Sequence, residues 1–188
     1  MNYFDRTYYD TKYSETDEYG LHYQDVRYYP IWKEVMGNLT VEEKILDLGC
    51  GPAHLGQMLI DNGFKHYTGI DFSSLAVKMA KEKLPNSEII EADLLNEVSY
   101  SRFSEHTIVA IEVFEHIEDD IQLVKMLPKN KIIFSVPNFI ASNHYRTYKN
   151  EEFIKDYYKD VIDIESIKKF GVATTKGSFI YVCKGEII

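Results

Sequence analysis

Two short stretches of this chain place glycines and acids where a nucleoside could bind. Residues 45–51 read Ile-Leu-Asp-Leu-Gly-Cys-Gly, and residues 69–73 read Gly-Ile-Asp-Phe-Ser. An apolar strand that leads through glycines into a helix leaves backbone N–H groups at the helix start, and a ligand can approach them closely. Asp71 ends the following strand, where a carboxylate accepts hydrogen bonds from ribose hydroxyls. These stretches together predict one nucleoside pocket.

The spacing of the glycines distinguishes between nucleoside cofactors. A dinucleotide fingerprint that begins at Gly49 requires a glycine at position 54, where this chain has a histidine. An acid also stands two residues before the first glycine. The pattern Asp47-x-Gly49-x-Gly51 resembles the first motif of the class I S-adenosylmethionine-dependent methyltransferases, with Ala53 in place of the third glycine. This resemblance implies S-adenosyl-L-methionine as the cofactor.

Residues 89–94 (Ile-Ile-Glu-Ala-Asp-Leu) are similar to a further signature of that family. The resemblance implies that Asp93 takes the adenine amino group and that the backbone N–H of Leu94 meets the ring. Phe72 is expected against the adenine face, with an ordinary core position as the alternative. Arg27, on a helix predicted over residues 23–36, is expected to pair either with the cofactor carboxylate or with a surface acid. The predicted cofactor contacts are Asp47, Gly49, Cys50, Gly51, Asp71, Phe72, Asp93, Leu94, Glu112 and Arg27.

A second group of polar side chains follows the fourth predicted strand. Glu112, Glu115 and His116 are spaced i, i+3 and i+4, so they share one face if this turn is helical. His144 follows the fifth strand, whose carboxyl end opens onto the same crevice of a doubly wound sheet. Two carboxylates and two imidazoles suit Mg²⁺, Mn²⁺, Fe²⁺ or Zn²⁺. The four residues are therefore the predicted metal ligands.

This E-x-x-E-H pattern with a downstream histidine resembles two methyltransferase subfamilies: the ubiquinone-biosynthesis O-methyltransferases and the small-RNA 3′-terminal 2′-O-methyltransferases. The resemblance implies a divalent cation beside the transferred methyl group and catalytic roles for His116, Glu115 and His144. Two alternatives remain at this point. His116 acts alone as a general base without a metal, or the motif is structural, with Glu115 serving the start of a helix.

Tyrosines crowd the N-terminal segment, which holds eight of the fifteen in the first thirty residues. In the family that the motifs resemble, this segment often folds over the cofactor as a lid, and tyrosine rings exclude water well. The alternative is that the rings only dock an arm against the sheet. Tyr13, Tyr23 and Arg146 are the predicted substrate contacts.

Apolar strands alternate with helical patterns along the rest of the chain. Strands are predicted near residues 44–48, 67–71, 88–91, 107–112, 131–136, 161–167 and 178–184. This alternation indicates an α/β, doubly wound and mainly parallel sheet of seven strands in a single domain. The resemblance adds the Rossmann-like methyltransferase strand order 3-2-1-4-5-7-6, with the last strand antiparallel. Residues 1–38 are expected to form an aromatic arm and helix, and residues 39–188 the cofactor-binding core.

Composition narrows the function. The 188 residues carry a net charge of −9, which argues against a nonspecific grip on nucleic acid. No apolar run is long enough to insert into a membrane, and the two cysteines fit a reducing compartment, so a cytoplasmic protein is expected. The leading hypothesis is O-methylation of a small metabolite or glycan unit. The alternatives are an RNA 2′-O-methyltransferase and a non-catalytic cofactor-binding protein that acts through partners.

Overall fold

The structure is a computed structural model that describes residues 5–96, 98–171 and 177–188. The chain divides into two compact units, residues 1–98 and 99–188. The elements of the first unit are α1 (Arg6–Glu15), α2 (Tyr29–Gly37), β1 (Lys44–Leu48), α3 (His54–Asp61), β2 (His66–Asp71), α4 (Ser74–Lys83) and β3 (Glu88–Glu91), with 3-10 turns at Asp17–Gly20 and Tyr23–Asp25. Those of the second are β4 (His106–Ile111), α5 (Asp120–Met126), β5 (Lys131–Pro137), α6 (Glu151–Tyr158), β6 (Ile162–Gly171) and β7 (Phe179–Ile187), with 3-10 turns at Tyr100–Phe103 and Phe114–His116.

The seven strands have the order β3-β2-β1-β4-β5-β7-β6. Strands β1, β2 and β3 are mutually parallel, and β4 is parallel to β5. Strand β7 runs antiparallel to both β5 and β6. The predicted Rossmann-like methyltransferase fold with a mainly parallel sheet is therefore confirmed.

Strand β1 is buried along its whole length after Lys44, as expected for a parallel strand that is covered on both faces. Its register with β2 places Asp47 opposite Gly69. The register of β2 with β3 places Asp71 opposite Glu91. The acids of the predicted nucleoside pocket therefore lie toward the carboxyl ends of these three strands.

A glycine in helix α3 makes room for a tyrosine of β2. A Cβ atom on Gly56 would lie 2.4 Å from the ring of Tyr67, a separation that side chains do not adopt. Tyr67 crosses this space, and its hydroxyl donates a hydrogen bond to Asp47 Oδ2 at 2.6 Å. Gly56 is needed for close approach, which is the usual reason for a glycine inside a helix.

Helix α2 begins later than the helix predicted over residues 23–36. The chain first makes the short turn Tyr23–Asp25, and the α-helix starts at Tyr29 with Pro30 in its first turn. Proline suits this position because its missing N–H has no helical partner there. Arg27 therefore lies before the helix. No helix in the described part of the chain is long and apolar enough to cross a membrane.

Candidate active site

The loop after β1 folds back on itself through three left-handed residues. Gly49, Gly51 and Ala53 have φ angles of 64°, 52° and 56°. Glycine adopts this conformation readily, whereas alanine does so rarely. Ala53 therefore has an uncommon backbone conformation at the start of α3. The backbone N–H of Cys50 donates to the Ile70 carbonyl at 3.0 Å, which ties the loop to β2.

The side chain of Cys50 is packed against β2. A Cβ atom on Gly69 would lie 2.7 Å from its sulfur, so the thiol packs against the glycine of β2. Burial, together with the charges of Asp71 and Asp47, raises the pKa of the Cys50 thiol well above its usual value. A thiol in this environment is a filler and not a nucleophile.

Asp71 is buried and both of its carboxylate oxygens accept backbone hydrogen bonds. Oδ2 accepts from the Gly51 N–H and Oδ1 from the Ser73 N–H, each at 2.9 Å. Burial raises the pKa of Asp71 to about 6, an effect that these hydrogen bonds oppose. Each carboxylate oxygen can accept a second bond, so the group retains capacity for ribose hydroxyls.

Asp47 has a different environment. It is buried and accepts the Tyr67 hydroxyl, and burial raises the pKa of its carboxyl to about 7. Its hydrogen-bond donor, Tyr67, lies on the neighbouring strand β2, so the carboxyl of Asp47 is held inside the protein.

The turn after β3 is organised by Asp93. Its carboxylate accepts the Leu95 N–H at 2.8 Å and the Asn96 side-chain amide at 3.1 Å. The preceding residue, Ala92, donates its N–H to the Asp71 carbonyl at 3.0 Å, which joins this turn to the end of β2. Asp71, Asp93 and Leu94 thus follow adjacent strand ends, as predicted for a nucleoside pocket.

The N-terminal arm, which is the described part of residues 1–38, packs on this pocket. The Tyr13 hydroxyl oxygen would lie 3.1 Å from a Cβ atom on Gly51, and burial raises the Tyr13 pKa well above its usual value, with Asp71 adding to the effect. The ring of Tyr9 meets Phe72 edge to face at 5.1 Å between centroids. Two tyrosines of α1 therefore contact residues that are predicted to bind the cofactor.

Asp10 attaches α1 to the start of α4. Its Oδ1 accepts hydrogen bonds from the Ser73 hydroxyl and from the Leu75 N–H, the latter at 3.2 Å. Its Oδ2 accepts from the Ser74 hydroxyl at 3.2 Å. Carboxylates are favoured at a helix N-terminus because the first N–H groups lack helical partners. Asp10 was not among the residues predicted from the sequence.

Two other predicted residues of the arm, Tyr23 and Arg27, contact partners within the arm itself. Tyr23 is a buried core residue whose ring lies 6.1 Å from that of Tyr29. The backbone N–H of Arg27 donates to the Glu18 carboxylate at 3.2 Å, and its guanidinium lies 3.6 Å from the same group. Of the two partners expected for Arg27, the structure shows the surface acid.

In the second unit, Glu112 does not share a helical turn with Glu115 and His116. Its φ angle is 57°, and the next element is only the 3-10 turn Phe114–His116, so the expected i, i+3, i+4 face does not form. Glu112 is held instead by Ser135, which accepts the Glu112 N–H at 2.9 Å and donates to its Oε1 at 2.8 Å. This double contact fixes a strained residue at the end of β4.

Three of the four predicted metal ligands do come together, and they are called here the ligand cluster: Glu115, His116 and His144. One ligand atom from each lies within 4.8 Å of the other two, and Glu115 is fully buried. The Nε2 atom of His116 is 3.6 Å from Glu115 Oε1. Among the described residues this group does not include Glu112.

Backbone carbonyls select the tautomer of both imidazoles. The Nδ1 atom of His116 lies 2.9 Å from the Asn143 carbonyl oxygen, and that of His144 lies 3.2 Å from the Phe139 carbonyl oxygen. A carbonyl oxygen only accepts, so each Nδ1 carries the proton and donates it. In the neutral ring, Nε2 then holds a lone pair, which is the arrangement found for metal-ligating histidines.

Arg146, which was predicted to contact the substrate, has partners within the protein that the sequence did not indicate. Its guanidinium lies 2.9 Å from Asp120 Oδ1 and donates to the Ile117 carbonyl at 2.7 Å. Asp120, Ser135 and Asp10 are the positioning residues that sequence reasoning missed. Each has a side-chain partner 23 or more residues away in the chain, so no local pattern marks it.

The chain is similar to known proteins in both sequence and structure. Residues 45–128 match the family described as a methyltransferase domain. Trans-aconitate 2-methyltransferase of Paracidovorax citrulli (strain AAC00-1) is 35% identical over 57 residues, which are 30% of this chain. The match spans 22% of that enzyme, about a fifth of its length.

Two solved structures share the fold over nearly their whole length. The N-methyltransferase NodS of Bradyrhizobium japonicum WM9, in complex with S-adenosyl-L-homocysteine, has a TM-score of 0.72 at 17% identity, with coverage of 97% of this chain and 99% of that one. Magnesium protoporphyrin IX methyltransferase of Synechocystis PCC 6803 has a TM-score of 0.69 at 15% identity, with the same coverage. These two structures show the fold. The family match identifies a methyltransferase domain at residues 45–128, and it supports the class I S-adenosylmethionine-dependent methyltransferase family that the motifs of residues 45–51 and 69–73 resemble.

Proposed function

We propose that this protein transfers a methyl group from S-adenosyl-L-methionine to a hydroxyl oxygen of a small metabolite or glycan unit, with a divalent cation at the ligand cluster. The observation that carries the proposal is the pair of imidazoles whose Nδ1 atoms face backbone carbonyls, beside a buried carboxylate. Two nitrogens and one oxygen form a donor set that Mn²⁺, Fe²⁺ and Zn²⁺ accept.

The cofactor would be held by the residues at the strand ends of the first unit. Asp71 would accept the ribose hydroxyls, and the turn at Asp93 and Leu94 would offer a carboxylate and an N–H to adenine. Gly49 and Gly51 have the left-handed conformation that turns the chain after β1. In this proposal Tyr13, which packs against Gly51, and Tyr9, which packs against Phe72, cover the pocket and exclude water.

A bound divalent cation would supply Lewis acidity, which lowers the pKa of an acceptor hydroxyl. The residues of this chain would orient the acceptor. With a metal bound, the Nε2 lone pair of His116, which the Asn143 contact directs, would be a ligand, and the acceptor proton would pass to solvent. Without a metal, the same lone pair would take up that proton. The same geometry fits a metal-free general base, so the experiment must separate the two roles.

Removal of metal with a chelator distinguishes a metal site from a metal-free general base. Release of S-adenosyl-L-homocysteine is followed with a panel of hydroxylated metabolites and glycans, and with their amine analogues as controls for the acceptor atom. If the cluster binds a metal, chelator abolishes turnover, leaves cofactor binding nearly unchanged, and added divalent ion restores turnover. His144→Ala then weakens metal binding because it removes one of three ligands.

The opposite outcome is equally definite. If His116 works as a base without a metal, chelator has no effect and His144→Ala is mild, while His116→Ala lowers turnover about 10²- to 10⁴-fold. Full turnover in chelator ends the metal proposal. Methylation of the amine analogues alone ends the proposal for oxygen acceptors.

A further inference from the structure

A buried network of polar side chains lies beside the ligand cluster and is not used by the proposed chemistry. It is called here the Asp120 network, and it consists of Asp120, Arg146, Tyr148, Tyr157 and Tyr158. Asp120 is fully buried at the first position of α5. A carboxylate without exposure to water requires partners for both oxygens, and this network supplies them.

Three tyrosine hydroxyls and one guanidinium surround the Asp120 carboxylate. Tyr158 donates to Oδ2 at 2.7 Å and Tyr157 to Oδ1 at 2.8 Å. Tyr148 lies 3.2 Å from Oδ2, and its hydroxyl is 2.8 Å from that of Tyr158. Burial and the Asp120 charge raise the pKa of Tyr158 well above its usual value, so these hydroxyls remain donors.

Arg146 extends the network to the backbone that carries Glu115 and His116. Its guanidinium lies 2.9 Å from Asp120 Oδ1, and it donates to the carbonyls of Phe114, Ile117 and Glu118. Its flat fork of donors can meet several carbonyls at once, which an ammonium group cannot do with fixed geometry. The side chain of Arg146 therefore contacts the backbone at the start of the turn Phe114–His116 and directly after its end.

The same contacts hold the segment that carries His144. Residues 138–150 contain no helix or strand, so their position depends on individual hydrogen bonds. Tyr145, which directly precedes Arg146 in the chain, donates its N–H to the Glu115 carbonyl at 2.8 Å. The two halves of the ligand cluster are thus joined on both sides of His144: by the His116 contact with Asn143 and by the Arg146 contacts.

We infer that Arg146 and Asp120 are positioning residues that set the geometry of Glu115, His116 and His144. The inference rests on the proposed function insofar as the cluster binds a metal. It gives Arg146 an indirect role, which differs from the substrate contact expected from the sequence. Neither residue needs to touch a substrate for its loss to change the site.

Cobalt binding and histidine resonances test this inference in the full-length chain. Co²⁺ is titrated into wild type, Arg146→Lys and Tyr158→Phe, and its visible absorption reports the ligand geometry. Tyr181→Phe is the matched control because it removes a hydroxyl from another buried tyrosine of the second unit. Loss of an outer partner of a metal ligand typically weakens metal binding roughly 10- to 100-fold, and this is the expected effect of Arg146→Lys. Tyr158→Phe should weaken binding less, and Tyr181→Phe should have no effect.

The imidazole resonances of the metal-free protein supply a readout that does not depend on metal. In Arg146→Lys those of His116 and His144 should shift, while those of His22, His54 and His66 stay in place. If wild type binds no Co²⁺, the metal proposal fails, and these resonances alone decide the positioning role. If Arg146→Lys loses cooperative unfolding, the same comparison is made on Tyr158→Phe. Unchanged cobalt affinity, unchanged absorption and unmoved resonances in a folded variant would overturn the inference.

Discussion

The predicted nucleoside pocket and the ligand cluster are held by different kinds of contact. In the pocket, Asp71 is fixed by backbone N–H groups of a turn that the neighbouring strand ends create. In the cluster, His116 and His144 are fixed by backbone carbonyls of an irregular segment, and that segment is held by the side chain of Arg146. Backbone contacts survive most substitutions, whereas a side-chain contact is lost with its residue.

The difference explains where single substitutions should act. A change to one acid of the pocket should alter ligand binding and the groups that this acid contacts, because Asp71 and Asp47 have separate partners. A change in the Asp120 network should move several functional groups together, because they share one support. In the pocket, the carboxyls of Asp47, Asp71 and Asp10 can each be changed separately.

The largest expected effect is a pH dependence of stability that originates at Asp47. Its pKa is about 7 in the folded protein and ordinarily 3.8, so the folded state holds the proton more tightly than the unfolded state. The stabilising contribution is complete below about pH 4 and is lost as the pH rises through about 7. Asp47→Asn removes this loss. Wild type should therefore lose on the order of 3 kcal/mol more unfolding free energy between pH 4 and pH 7 than the variant does.

Denaturant unfolding at several pH values measures this difference. Asp25→Asn, which changes an exposed carboxyl of the same unit, is the control and should follow wild type. Parallel pH profiles for wild type and Asp47→Asn would show that Asp47 titrates normally despite its burial.

The next effect concerns the cofactor. Asp71→Ala should weaken binding of S-adenosylmethionine and S-adenosylhomocysteine by about 2 kcal/mol or more, through loss of charge-assisted hydrogen bonds. Isothermal calorimetry measures both ligands, and Asp71→Asn shows how much of the loss belongs to the charge. Tight binding of NAD, or unchanged affinity of Asp71→Ala, would contradict the assignment of the pocket. Asp25→Ala again serves as the control.

The smallest effect is at the arm. Asp10→Ala removes three hydrogen bonds between α1 and the start of α4. We therefore expect faster release of S-adenosylhomocysteine, with a change in the free energy of binding of about 1 kcal/mol. Stopped-flow displacement measures the release rate. Glu15→Ala, an exposed acid of the same helix, is the matched control. An unchanged rate would mean that the arm docks on the pocket without retaining the ligand.

The parts of the fold that the sequence predicts well are those with local causes. Apolar runs ended by glycine or an acid identify β1 and β2 directly, and the register then places Asp71 and Asp93 at neighbouring strand ends. The cluster was predicted as four ligands, three of them on one face of a regular helical turn and the fourth, His144, after β5. The left-handed conformation of Glu112 breaks that turn, and its stabilising partner Ser135 lies 23 residues later, so periodicity could not indicate it.

Long-range side-chain contacts were the other limit. Asp120 stands in the run Glu118-Asp119-Asp120, which looks like a solvated charge cluster, yet its partners are tyrosines 28 to 38 residues away. Asp10 similarly meets serines 63 and 64 residues away. Such pairings depend on how strands and helices are stacked, and no feature of either residue's neighbours reveals them.

The space that Gly56 leaves for Tyr67 constrains how this protein can diverge. A side chain at position 56 would collide with the Tyr67 ring, and a residue at position 67 without a hydroxyl would take from Asp47 its hydrogen-bond donor. Either substitution alone is therefore unfavourable, although both together, with a neutral residue at position 47, form a compatible set. Descendants of this sequence should exchange positions 47, 56 and 67 as a group, and a chimaera that takes only one of them from a relative should fold poorly.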